Sequence, residues 1–176
     1  MNRRQALAAL GGLGLTGGSI VAMESGFLSG QESDFTETVE TIDARGSEAG
    51  EITLPRPNTP TVIDLFATWC APCRKQMTVL SGLVPEYTNR LTFISVTNER
   101  FGGTLTKEDV RAWWRKNDGD WTLGHDPESD LMSALNAEGL PYLAITDASG
   151  TIQWTHSGVI AASMLRTRLD TLLDGT

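Results

Sequence analysis

The chain of 176 residues contains only two cysteines, Cys70 and Cys73, and only Ala71 and Pro72 separate them. That spacing constrains the fold more than any other feature of the sequence. Upstream, Thr61-Val62-Ile63-Asp64-Leu65-Phe66 is a short apolar run of the kind that forms a strand buried on both faces. Downstream, Met77, Leu80, Val84 and Tyr87 recur at helical spacing. The pair therefore falls on a strand-to-helix turn, at the amino end of the helix. The helix is expected to bend or end near Gly82 and Pro85, because proline lacks the N–H that continues the ladder.

A helix amino terminus favours negative charge, and the unpaired N–H groups of its first turn can donate to a sulfur. Pro72 is tolerated there, since the first helical N–H groups have no intrahelical partner. Thiols in Cys-x-x-Cys motifs have pKa values lowered to about 3.5–7.5. This places Cys70 as the exposed nucleophile and Cys73, one turn inward, as the buried thiol that resolves a mixed disulfide. Three other readings of the pair stand beside this one. A purely structural disulfide would close a very small loop and stabilise little. A zinc site needs two further ligands, and His125 and His156 are spaced unlike common zinc modules. The pair could also be inert.

The segment Asp64-Leu65-Phe66-Ala67-Thr68-Trp69-Cys70-Ala71-Pro72-Cys73-Arg74-Lys75 resembles the active-site segment of the thioredoxin superfamily. The Ala-Thr-Trp-Cys-Ala-Pro-Cys-Arg form is similar to its TlpA/ResA-like extracytoplasmic branch, over residues 52–174. The resemblance implies an α/β thioredoxin-like fold, with a central mixed sheet flanked by helices, and thiol-disulfide exchange with protein substrates without a cofactor. It further implies a cis-proline facing the cysteines, matched by Pro141 in Gly139-Leu140-Pro141-Tyr142, with Leu140 giving the sulfurs an apolar contact. Asp64 matches the buried carboxylate that exchanges a proton with the inner thiol. Trp69, Ala71, Pro72 and Leu140 become the substrate-binding surface, and Cys70–Cys73 the redox disulfide. The sequence departs from the branch at Gln76, where glutamate is usual, and at Thr78, where proline is usual. A glutamine cannot shuttle a proton, which leaves Asp64 to do so.

The chain carries 22 acidic and 14 basic residues, a net charge of −8, which argues against nucleic acid as a partner. Its amino terminus, residues 1–23, opens Asn2-Arg3-Arg4 and continues as an apolar, glycine-rich stretch. It resembles a twin-arginine export signal, and no small-x-small cleavage motif stands out, so an export signal or a membrane anchor is expected. Residues 24–38 read as a flexible acidic spacer, and residues 39–176 as the thioredoxin-like domain. Export agrees with a redox cysteine pair, because disulfides persist outside the cytoplasm.

Within that domain, Val39–Ile42 and Glu51–Leu54 alternate as a hairpin, and Leu91–Val96 reads as a strand parallel to Thr61–Phe66. Thr106-Lys107-Glu108-Asp109 opens a helix carrying Trp113 and Trp114, of which one is expected in the core and one at a surface. Trp121–Leu123 reads as a short edge strand, His125 and His156 as solvated or capping residues, and Tyr142 onward as a hairpin and closing helix. The partners implied by the resemblance are protein thiols and disulfides, cytochrome c apoproteins among them, and a membrane electron donor or acceptor, met by a monomer. A second function class also remains: a copper-binding assembly or metal-delivery factor, since soft thiolates suit Cu(I).

Overall fold

The computed structural model describes residues 34–175. The leader and most of the spacer lie outside the described residues. The elements run β1 (Glu37–Thr41), β2 (Gly50–Leu54), β3 (Thr61–Phe66), α1 (Ala71–Tyr87), β4 (Thr92–Thr97), α2 (Lys107–Lys116), β5 (Thr122–His125), α3 (Asp130–Ala134), β6 (Tyr142–Thr146), β7 (Ile152–Ser157) and α4 (Ala162–Asp174). One mixed sheet of seven strands, in the order β2-β1-β5-β4-β3-β6-β7, holds them together. β3, β4 and β5 run parallel, while β6 and the β1–β2 hairpin join antiparallel.

β3 lies near the middle of the sheet and is buried along its whole length. Its alternating side chains feed two cores. Val62 and Phe66 pack with Cys73, Met77 and Leu80 of α1, with Val110 and Trp114 of α2, and with Leu165 and Leu169 of α4. Ile63 and Leu65 pack on the other face with Phe35, Val39, Leu54, Leu131 and Leu135. With both faces covered, the strand needs a near-continuous apolar run, and its sequence supplies one apart from Asp64.

Three expectations change. First, β5 is not an edge strand, because β1 pairs with it through Glu40 and Thr41 and places the hairpin at the edge instead. That hairpin takes in Glu37 and Thr38, and Phe35 before it is buried. Second, of the bend or end expected near Gly82 and Pro85, the end does not occur there: α1 carries Pro85 and ends at Tyr87. Buried Val84 and Tyr87 hold the last turn against the core, the Thr88 N–H reaches the Val84 carbonyl, and the Tyr87 hydroxyl donates to Asp170 of α4 at 2.7 Å. Third, His125 is buried rather than solvated, stacked on Phe101 at 4.0 Å with Nε2 2.9 Å from the Glu99 carbonyl.

The adjacent tryptophans of α2 divide their roles. Trp114 is fully buried, edge-on to Trp121, and its Nε1 donates to the Arg45 carbonyl at 2.9 Å. Trp113 is half-buried and stacks on Phe66 at 4.8 Å. The chain leaving α2 passes so close to Trp114 that a Cβ on Gly119 would stand 2.2 Å from its ring carbons. Gly119→Ala is therefore expected to lower stability by about 1–3 kcal/mol through overpacking, read by chemical denaturation. An unchanged midpoint would mean that the Trp114 ring is free to move away.

Candidate active site

The site starts where β3 stops. After Phe66 the chain turns through Ala67, Thr68 and Trp69, and the Cys70 N–H closes the turn on the Ala67 carbonyl at 3.1 Å. Cys70 keeps an extended backbone and is the N-cap of α1, and its Sγ accepts the Cys73 N–H at 3.2 Å. Ala71 and Pro72 fill the first helical positions, whose N–H groups need no intrahelical partner. The two cysteines are joined as a disulfide. Contrary to the sequence expectation, Cys70 is not exposed: it retains 3% of its surface and Cys73 1%. The capping geometry folds its sulfur back over the helix end. What faces solvent is the frame around it, namely Ala71, Pro72 and Trp69, which is 72% exposed.

The Leu140–Pro141 bond is cis. β6 pairs with β3 through Leu65 opposite Tyr142 and Asp64 opposite Leu143, so the same register places Pro141 opposite Phe66. The cis bond thus lies at the end of the sheet from which the cysteine turn departs. The Pro141 carbonyl is held by the Gly158 N–H at 2.8 Å. Leu140 is half-buried and packs against both cores, including the one that contains the cysteines. The Leu54–Pro55 bond, at the end of β2, is cis as well.

Asp64 sits between Val62 and Phe66 on the α1 face of β3, the face shared with Cys73 and Met77. It is buried, and desolvation pushes its carboxyl up to about 7, against a smaller lowering by Ser95. The Ser95 hydroxyl donates to Oδ2 at 2.8 Å and in turn accepts the Trp121 Nε1–H at 3.0 Å. Oδ1 has no hydrogen-bond partner among the described residues. A carboxyl poised near neutrality, with one oxygen unused, can take up and return a proton.

Sequence reasoning missed the roles of Ser95, Trp121 and Glu99, and the contact that Gln76 makes. Ser95 and Trp121 form the chain behind Asp64, and no local pattern marks them. Glu99 clamps the loop before the cysteines, accepting the Thr68 N–H at 2.6 Å, the Thr68 hydroxyl at 2.7 Å and the Thr97 hydroxyl at 3.0 Å. The available signal was its place just after β4, since residues beyond the carboxyl ends of parallel strands line sites in α/β sheets. Gln76 is buried, and its Oε1 accepts the Ile160 N–H at 3.1 Å, tying α1 to the loop before α4. No group of three or more His, Cys, Asp or Glu converges as a metal site among the described residues.

Residues 33–155 match the AhpC/TSA family, and the chain belongs to that family. It is 27% identical over 109 residues to thioredoxin-like protein YneN of Bacillus subtilis (strain 168), a match spanning 62% of this chain and 62% of that protein. It is 20% identical over 122 residues to sporulation thiol-disulfide oxidoreductase A of the same organism, covering 68% of this chain and 72% of the relative. A secreted Mycobacterium tuberculosis disulfide oxidoreductase homologous to E. coli DsbE superposes with a TM-score of 0.62 at 16% identity, covering 79% of this chain and 96% of that one. The fold is thioredoxin-like, as the cysteine segment implies.

Two variants probe the site. The Asp64 carboxyl binds its proton more tightly folded than unfolded, so the stability it confers is full below about 3.8 and lost as pH rises through about 7. Asp64→Asn is expected to unfold later than the parent at pH 8, by a few kcal/mol at most, with the advantage shrinking toward pH 4. A difference that does not change with pH would show that Asp64 titrates alike in both states. Glu99→Ala orphans the Thr68 N–H and is expected to cost about 1–3 kcal/mol, with faster proteolysis at Thr68–Trp69. An unaltered digest would mean that the turn holds without the clamp.

Proposed function

We propose that the chain is an exported thiol-disulfide oxidoreductase that exchanges its Cys70–Cys73 pair with protein thiols and disulfides. The observation that carries this reading is the cysteine pair capping α1, framed by exposed Trp69 and by cis-Pro141 at the same end of the sheet. In the reducing direction the Cys70 thiolate attacks a client disulfide. A Cys70–client S–S bond forms, and the displaced client sulfur leaves with the electron pair. Cys73 then passes its proton to the Asp64 carboxylate, attacks Cys70 and releases the second client thiolate. Two electrons have moved from the dithiol to the client, and the Cys70–Cys73 disulfide remains. The oxidising direction is the same sequence reversed.

Each surrounding group has a part in this scheme. The Cys73 N–H, already directed at Cys70 Sγ, stabilises the thiolate when Cys70 is the leaving group. The rise of the Asp64 carboxyl to about 7 lets it exchange a proton near neutral pH. Trp69, Ala71, Pro72 and Leu140 offer an apolar frame for the client backbone. Export rests on the Arg3-Arg4 leader of the sequence, and it agrees with the secreted character of the Mycobacterium tuberculosis relative. Among the described residues no helix is long and apolar enough to cross a membrane. Cytochrome c apoproteins and a membrane electron donor or acceptor are the partners this reading assigns.

The test is disulfide trapping. Cys73→Ser is expected to accumulate mixed disulfides with clients on Cys70, whereas Cys70→Ser accumulates none. Trapping on Cys73 instead would reverse the two roles, and no trapping by either variant would overturn the reading.

A further inference from the structure

The surface beside the disulfide opposes the charge of the rest of the chain. The net charge is −8. An open groove of about 510 Å³, lined by Ala71, Pro72, Arg74, Lys75, Thr78 and Asn117, runs alongside the start of α1. Its volume falls within the range of about 300–1,000 Å³ usual for ligand clefts. No carboxylate among the described residues lines it.

Pairing separates these two cations from most of the other cations among the described residues. Arg45, Arg100, Lys107, Arg111, Arg115 and Arg166 each meet a carboxylate. Arg74 and Lys75 are exposed, and neither side chain meets a carboxylate among the described residues. Unpaired surface cations are ordinary by themselves, and it is their position that gives this pair meaning. The groove wall includes both residues between the sulfurs, so the flanking chain of a polypeptide bonded to Cys70 lies within reach of it. The N-terminal partial charge of α1 has the same sign as the two side chains and adds to their field.

We infer that this groove selects clients with acidic side chains flanking the reactive cysteine, the carboxylates pairing with Arg74 and Lys75. The inference rests on the thiol-disulfide reading above and names the class of polypeptide which that site prefers. Complementary charge acts mainly on encounter rate and discrimination, and salt weakens it. The acidic remainder of the surface repels the same clients, so the groove also sets where on the protein they can land.

The experiment uses the full chain, reduced and freed of reductant, and three peptides that differ only in the residues beside one cysteine: aspartate, serine or lysine. Each cysteine is activated as a mixed disulfide with 2-thiopyridine. Attack by the Cys70 thiolate forms the Cys70–peptide S–S bond and releases the neutral pyridine thione, whose absorbance gives the rate. At low salt the aspartate peptide is expected to react about tenfold faster than the lysine peptide. The ratio should fall toward one in about 1 M salt, where the Debye length is about 3 Å. Arg74→Glu/Lys75→Glu should invert the ratio, while Arg56→Glu/Arg90→Glu, with the same change in net charge, should leave most of it. The ratio cancels any change in intrinsic thiol reactivity. The wild-type salt series carries the test if the charge-reversed chain does not fold.

Equal rates for the three peptides, or a preference that survives high salt, would overturn the groove proposal and leave the redox reading standing. No reaction with any peptide, by a chain whose thiols still titrate as reduced, would overturn the redox reading and this proposal with it.

Discussion

A strand buried on both faces cannot continue into solvent, and the end of β3 fixes where the sulfurs sit. Val62 and Phe66 are committed to the core beneath α1, and Ile63 and Leu65 to the core on the opposite face. The chain must therefore leave the sheet at Ala67 and enter α1 within a few residues. Cys70 becomes the N-cap by that geometry, and its sulfur finds the Cys73 N–H that would otherwise be an unpaired donor of the first turn. The same strand carries Asp64 two residues before Phe66, on the α1 face, so one element positions both the turn that bears the cysteines and the carboxylate behind them.

The remainder of the site is built to hold that turn. Glu99 binds Thr68 from the neighbouring strand end, Leu140 and cis-Pro141 close the other flank, and Gln76 anchors α1 to the loop before α4. The arrangement places polar groups in the core at some cost. Asp64 has one oxygen without a hydrogen-bond partner among the described residues, and Gln76 Nε2 is in the same position. An apolar side chain at Asp64 would avoid the orphaned oxygen, whereas at Gln76 it would leave the buried Ile160 N–H without its acceptor. A buried carboxyl with a raised pKa is the kind of group that proton transfer requires.

Much of this was legible in the sequence because it is local. The two-residue spacing of the cysteines, the apolar run before them and the helical spacing after them lie within a short stretch, and they locate the turn. The motif then implied the cis bond before Pro141 and a buried Asp64, and both are present. What escaped was set by contacts distant in sequence. The burial of Cys70 follows from the way its capping sulfur folds back on the helix, which residue type alone does not reveal. Glu99 reaches Thr68 across 31 residues, and Ser95 is as far from Asp64. β5 looked like an edge because nothing within it announces that Glu40 and Thr41 pair with its end. Pro85 reads as a stop by a local rule, and the packing of Val84 and Tyr87 outweighs that rule.

The central claim is that geometry at the start of α1 makes the two thiols unequal. It is tested most directly by reducing the full chain and following alkylation of each cysteine by iodoacetamide with mass spectrometry, at about pH 6, where ordinary thiols are almost wholly protonated. The account predicts that Cys70 is modified many times faster than Cys73, with Cys73 reacting only as the chain unfolds. Equal rates at the two positions, or faster modification of Cys73, would contradict it.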